Sequence, residues 1–142
     1  MNLSDLLRKR MIEKIDVDRT RAAELLKNAE RDLNAAEDNI KTGHPEWALA
    51  IAYNAMLSAG MALMAYKGYR TYAEAHHLAV VQFCTAVLPK ESSTLISTFN
   101  RYRVRRHDVV YGESDSVGEN EAKRAVENAK NFVSAIKTEI EN

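Results

Sequence analysis

Two long segments of the chain place apolar residues at alternating intervals of four and three. This spacing aligns side chains along one face of an α-helix. The first set is Ala22, Leu26, Ala29, Leu33, Ala36 and Ile40, and the second is Ala122, Val126, Ala129, Val133, Ile136 and Ile140. Five glycines and two prolines in 142 residues leave few positions that would interrupt a helix. The sequence therefore predicts an all-α fold built from long amphipathic helices.

Capping and turn residues divide the chain into five or six predicted helices. The predicted bounds are Ser4 to about Ile15, Asp16 or Asp18 to Thr42, Pro45 to Tyr66 or Lys67, near Thr71 to the residue before Pro89, about Ser92 to Tyr111, and a last helix after Ser116. Ser116 and Glu119 have the spacing of a capping box for that last helix. Short connections between long helices favour an antiparallel up-and-down bundle. We expect a single domain over residues 1–142, with four to five main helices and a short N-terminal helix.

The third predicted helix is covered with small side chains, which allow neighbouring helices to approach closely. These residues are Ala48, Ala50, Ala52, Ala55, Ala59, Gly60, Ala62 and Ala65. The segment from Trp47 to Tyr66 is apolar, but Asn54, Ser58 and Gly60 interrupt it. We therefore expect a buried central helix rather than a membrane span.

Charge and cysteine content limit the classes of partner. The chain has 20 basic and 20 acidic residues, so an overall attraction to nucleic acid or membrane is excluded. The only cysteine, Cys84, lies in an apolar run and is expected to be a buried, inert thiol. The N-terminus lacks the apolar core of a signal peptide. We expect a cytoplasmic protein without a membrane partner, in which any anionic ligand is held by a local patch.

Such a patch lies at "RYRVRRH", residues 101 to 107, which contains four arginines and a histidine. On a helical wheel, Arg103 and Arg106 fall on the face that carries Ile96, Phe99, Tyr102 and Val110. Arg101, Arg105 and Asp108 lie on the opposite side, where we expect them to need only solvation. An unpaired charge in a dry core is costly. The two arginines could pair with acids of a neighbouring helix, line an open cleft, or lie at a dimer interface. Alternatively, the helix twists or ends early and leaves them at the surface.

His107 and Tyr111 are four residues apart and share the flank of the helix next to Arg103. Arginine binds phosphate through two hydrogen bonds, and His and Tyr exchange protons. The set Arg103, Arg106, His107 and Tyr111 is therefore typical of a phosphodiester-binding site. No P-loop or dinucleotide fingerprint is present, and we expect no cofactor.

The remaining histidines do not predict a metal site. His76 and His77 are adjacent and point to different helix faces, and no His or Cys lies three or four residues away to complete a ligand pair. We expect one of them to pack against, or hydrogen-bond into, the bundle.

Over nearly its whole length the chain resembles the HEPN domains (higher eukaryotes and prokaryotes nucleotide-binding). The resemblance lies in the Ala-rich helix and its exit, "WALAIAYNAMLSAGMALMAYKGYR", in the His-bearing segment "AHHLAVVQF", and in "RVRRHDVVYG", which occupies the place of the family motif. The resemblance implies a helical bundle, commonly a homodimer in which motif residues of both chains meet. It also implies RNA or nucleotide as ligand. Some members are metal-independent endoribonucleases, and others accompany a nucleotidyltransferase partner in toxin–antitoxin or related modules.

The family motif is an Arg followed, after four to six residues, by a His, often with a polar residue directly after the Arg. Two alignments fit this chain: Arg101 with His107, or Arg106 with His107 in the polar place and Tyr111 in the place of the distal His. The helical wheel favours the second alignment, which removes the catalytic His. Tyrosine has an ordinary pKa near 10 and is a weak general base at neutral pH.

Three functional hypotheses follow. The first is a dimeric module that binds a nucleotide, RNA phosphate or partner protein, with Arg103, Arg106 and Arg101 as binding residues. The second is a metal-independent endoribonuclease in which Arg106 (or Arg101) stabilises the phosphate and His107 moves the proton. The third is a structural bundle whose arginines only pair with acids.

Overall fold

The computed structural model describes residues 1–73, 76–111 and 117–141. Within these residues the helices are α1 (Leu3–Arg8), α2 (Arg19–Lys41), α3 (Pro45–Lys67), α4 (His77–Val87), α5 (Ser93–Tyr111) and α6 (Glu119–Glu141). Two short strands, β1 (Ile12–Lys14) and β2 (Tyr69–Thr71), form a small antiparallel sheet. The prediction of an all-α helical bundle with a short N-terminal helix is confirmed.

The predicted bounds of α2 and α3 are also confirmed, and capping explains them. The side chain of Asp18 accepts a hydrogen bond from the Arg21 backbone N–H at 2.9 Å, which begins α2. Gly43 and Gly68 end α2 and α3 with φ values of 83° and 88°, a left-handed conformation that favours glycine. The predicted N-cap of α6, Ser116, lies outside the described residues.

Helix α3 is the central helix, as its small residues predicted. It packs against α2, α4, α5 and α6, and its alanines at 48, 52, 55, 59 and 62 are buried. By length and composition α3 could cross a membrane, but 72% of its most apolar window is buried inside the bundle. Its apolar character is therefore explained by its place in the core.

The N-terminal helix is shorter than predicted. Helix α1 ends at Arg8 instead of continuing to Ile15. Arg10 has a φ of 56°, which is incompatible with a right-handed α-helix, so the helix cannot extend through it. The chain then forms β1, whose residues Ile12 and Lys14 pair with Thr71 and Tyr69 of β2.

The expected start of α4 at Thr71 is wrong for the same reason. Thr71 pairs with Ile12 in the sheet, and α4 begins only at His77.

Candidate functional site

Helix α5 carries the arginine-rich segment, and its first turns are anchored in the core. Ile96, Phe99 and Tyr102 are buried, as the helical wheel predicted. Val110 was expected on the same buried face but is 42% exposed. This expectation is wrong because in the last turn of α5 it is Val109 that packs against the core, while Val110 lies on the exposed side with His107 and Asp108.

Arg103 and Arg106 lie on the inward side of α5, and both are half-buried. Arg103 donates from Nε to the Asn100 side-chain oxygen at 3.0 Å. The Arg106 Cζ atom is 6.0 Å from the centre of the Tyr53 ring, and its Nε is buried. The helix continues to Tyr111, so the alternative of an early helix end is wrong. The sequence correctly placed both arginines toward the bundle.

Tyr53 of α3 and His77 of α4 meet beside these arginines. Their hydroxyl oxygen and Nδ1 atom are 3.0 Å apart, within hydrogen-bonding distance. Tyr53 is 1% exposed, and its ring also packs against Phe99, with the ring centres 5.8 Å apart. His77 is half-buried and therefore borders solvent. We call Tyr53, His77, Arg103 and Arg106 the Tyr53 cluster.

The electrostatics of the Tyr53 cluster favour an anion. Burial raises the pKa of Tyr53 to about 12, although the charges of Arg103 and Arg106 oppose this rise. Burial lowers the pKa of His77, and the charges of Arg106 and Arg103 lower it further. Both ring groups are therefore neutral at neutral pH, and both experience the positive potential of the same two guanidinium groups. Because His77 and the two arginines are only half-buried, this potential reaches the surface.

The other two arginines of the segment have different surroundings. Arg101 is exposed, as predicted, with its Cζ 5.7 Å from the centre of the Tyr102 ring. Arg105 was expected to need only solvation, but it binds Glu121 of α6 through two hydrogen bonds of 2.8 and 3.0 Å. The expectation is wrong because α6 packs along this flank of α5 and brings a carboxylate within reach. Arg105 therefore links two helices.

Of the two predicted proton-transfer residues, His107 and Tyr111, the structure describes the side chain of His107. His107 is exposed, one residue beyond the inward-facing Arg106. The backbone of Tyr111 ends α5, but its side chain lies outside the described part of the chain. The structure therefore brings together Arg103 and Arg106 of the predicted site.

Sequence reasoning missed Tyr53 as a functional residue and recognised His77 only in part. The expectation that one histidine of the pair hydrogen-bonds into the bundle is confirmed for His77. One feature of the sequence could have identified Tyr53. It is the only aromatic residue between Trp47 and Tyr66, in a helix otherwise covered with small and aliphatic side chains. A polar hydroxyl buried in such a helix needs a hydrogen-bond partner.

Metal-binding side chains are not grouped in the part of the chain that the structure describes. There, no three His, Cys, Asp or Glu residues come close enough to hold an ion. The chemistry that the described site offers is that of guanidinium, imidazole and phenol groups.

Comparison with known proteins agrees with the helical fold. The model of the HEPN domain family matches residues 22–139, which is most of the chain. The fold is similar to the crystal structure of TT1696 from Thermus thermophilus, with a TM-score of 0.66 and 20% sequence identity over 83% of this chain and 97% of that one. None of the curated proteins matches the sequence.

The fold and the family match define a HEPN-type helical bundle, a class of module related to RNA and nucleotides. The chain belongs to the HEPN domain family.

Proposed function

We propose that this protein binds RNA or a nucleotide by holding a phosphate group at the Tyr53 cluster, with Arg103 and Arg106 as the principal phosphate ligands. The observation that carries the proposal is that the Arg106 guanidinium lies over the ring of Tyr53, whose hydroxyl contacts His77, so that the charges of both arginines act on one neutral pair. A phosphate bound there would offset the positive potential and accept charge-assisted hydrogen bonds.

The arrangement favours Arg103 and Arg106 over Arg101. Arg103 is fixed by Asn100, and Arg106 is held against the Tyr53 ring, so part of the entropy cost of ordering each side chain is already met by the fold. Arg101 is exposed on the other side of the helix and contacts the ring of Tyr102.

The test uses fluorescence anisotropy with a labelled uridine hexanucleotide. Arg103→Gln and Arg106→Gln should each weaken binding by roughly 10- to 100-fold, since a hydrogen bond to a charged group contributes about 1.5–3 kcal/mol. Each variant should also lower the slope of log Kd against log salt by about 0.7, the value for one lost contact with a single strand. The matched control is Arg101→Gln, which removes the same charge from the exposed side of α5. Equal losses in all three variants would show generic surface attraction and overturn the proposal.

The same experiment separates this function from a structural bundle. If Arg106 only stabilises the fold, Arg106→Gln should lower the urea midpoint and leave the RNA affinity of the folded fraction unchanged. The binding proposal expects the opposite: weaker RNA binding with a urea midpoint close to that of the unsubstituted protein.

The proposal extends to partners. We infer that the protein forms a homodimer and acts beside a nucleotidyltransferase-type partner in a toxin–antitoxin or related module, as the family resemblance implies. Light scattering of the purified chain tests the dimer. Co-purification with the product of an adjacent nucleotidyltransferase gene tests the partner.

Ribonuclease activity remains a prediction of the second hypothesis. It has a direct test: metal-free incubation with RNA should leave 2′,3′-cyclic phosphate ends, and His107→Ala should abolish the cleavage. Because His107 is exposed beyond the Tyr53 cluster, we favour binding.

A further inference from the structure

We propose that His77 is a third phosphate ligand of the Tyr53 cluster, held in orientation by the Tyr53 hydroxyl, and that it takes up a proton when the phosphate binds. The inference rests on the proposed function, because it requires that an anion binds beside Arg103 and Arg106. It adds a ligand from α4, a different helix from the one that carries the arginines.

The first step is the orientation of the ring. The Tyr53 hydroxyl lies 3.0 Å from His77 Nδ1, and the ring centres are 5.8 Å apart. A hydroxyl group both donates and accepts hydrogen bonds, so this contact persists whether or not Nδ1 carries a proton. Tyr53 is buried in α3, which makes it a rigid support. Nε2 is then the nitrogen left to contact a ligand.

The second step is the charge around the ring. Among the helices packed against α4, α5 contributes Arg103 and Arg106, and α3 contributes Tyr53, whose pKa of about 12 keeps it neutral. In α1, which also packs against α4, Asp5 and Arg8 pair with each other at 3.0 Å. The two arginines oppose a third positive charge on His77, in addition to the effect of burial.

An anionic phosphate reverses this balance. It offsets the two guanidinium charges and adds an acceptor that favours the imidazolium form. Binding therefore raises the pKa of His77, and the ring takes up a proton from solvent as the complex forms. Linkage requires the converse: the protonated protein binds phosphate more tightly, so affinity increases as the pH falls.

The experiment measures the four histidine titrations of the full chain by NMR, with and without a uridine hexanucleotide. Its phosphodiesters keep a constant charge across the titration range of histidine, so changes in binding report on the protein. We expect the pKa of His77 to rise by about one unit on binding, which corresponds to about tenfold tighter binding by the protonated form. His76, its neighbour in the sequence, is the internal control and should move much less.

Variants test the same inference by affinity. His77→Gln should make RNA binding nearly independent of pH, whereas the matched control His76→Gln should keep the pH dependence of the unsubstituted protein. Tyr53→Phe keeps the ring but removes the hydroxyl, so the pKa rise of His77 should shrink while the arginine contacts remain. If His77→Gln does not fold, the NMR titration of the unsubstituted protein still decides.

A failure of the His77 inference can be distinguished from a failure of the proposed function. If RNA binds through Arg103 and Arg106 but the pKa of His77 does not rise, this inference is wrong and the proposed function stands. If RNA does not bind, or if Arg101→Gln weakens binding as much as Arg106→Gln, the proposed function itself fails.

Discussion

Replacement of Gly60 by alanine tests the close approach of α3 and α4. A Cβ atom at position 60 would lie 2.6 Å from Val80 Cγ1 and 3.4 Å from Cys84 Sγ. Carbon atoms in van der Waals contact are about 3.5–4.0 Å apart, so Val80 must move by about 1 Å. Val80 is 1% exposed, and its branched side chain has little rotameric freedom with which to move away. The two helices must therefore separate.

The size of the effect follows from two opposing contributions. Overpacking a well-filled core costs about 1–3 kcal/mol. Alanine in a helix interior is favoured over glycine by about 0.8–1.0 kcal/mol. Gly60→Ala should therefore lower the free energy of unfolding by roughly 0–2 kcal/mol, and the melting temperature by up to several degrees for a chain of this size.

Equilibrium urea unfolding, followed by circular dichroism, measures this change. The control is the Val80→Ala background, in which the clashing Cγ1 atom is absent. There, Gly60→Ala should be neutral or stabilising, giving a coupling free energy of about 1 kcal/mol or more in the double-mutant cycle. If Gly60→Ala stabilises the protein by the full helix-propensity gain with Val80 in place, the reasoning about close helix packing is refuted.

Three further predictions concern stability and reactivity. Arg105→Gln should cost about 0.5–1 kcal/mol at pH 7, because Arg105 and Glu121 are 24% and 30% exposed, and the loss is measured by urea unfolding. Arg105 lowers the pKa of Glu121 in the folded protein, so the ion pair stabilises the fold above the ordinary carboxyl pKa, and this stabilisation disappears as the pH falls below it. If the stability lost in Arg105→Gln stays constant down to about pH 2, the pairing is contradicted. The pKa of His77 is lowered in the folded protein, so the free energy of unfolding should decline as the pH falls below about 6.5, by at most about 1.4 kcal/mol per pH unit. Urea midpoints measured between about pH 5 and 8 should show this decline, and His77→Gln should flatten it. Burial raises the pKa of the Cys84 thiol to about 12, so iodoacetamide should label it only as the chain unfolds; fast labelling of the folded protein, followed by mass spectrometry, would contradict its burial.

The helices of the bundle could be predicted because local signals and packing agree there. Asp18, Gly43 and Gly68 mark helix ends through their own side-chain or backbone chemistry, and these positions agree with the structure. The small sheet could not be predicted, because three-residue strands have almost no periodicity. Ile12 and Thr71 adopt extended conformations only because they pair with each other across the chain.

The part of the candidate site that lies on α5 could be predicted from the sequence, but its contacts with α3 and α4 could not. The periodicity of α5 placed Arg103 and Arg106 on the inward face, which the structure confirms. It could not show that Tyr53 and His77, 24 residues apart, meet in front of them, because that contact depends on how α3 and α4 pack. The expectation for Arg105 was wrong for a related reason. A helical wheel describes one helix in isolation, so it could not show that Glu121 of α6 lies beside Arg105.

The strand pair also has a consequence for the order of events during synthesis. Glu13 and Arg70 are 57 residues apart, and their side chains form an ion pair across the two strands. The ribosome therefore releases β1 well before the segment that completes its sheet, and α1 before α4, against which it packs. Residues 1–14 thus reach their final contacts only after residues 69–87 have been made, and a nascent chain stalled before Tyr69 should expose its N-terminal segment to added protease.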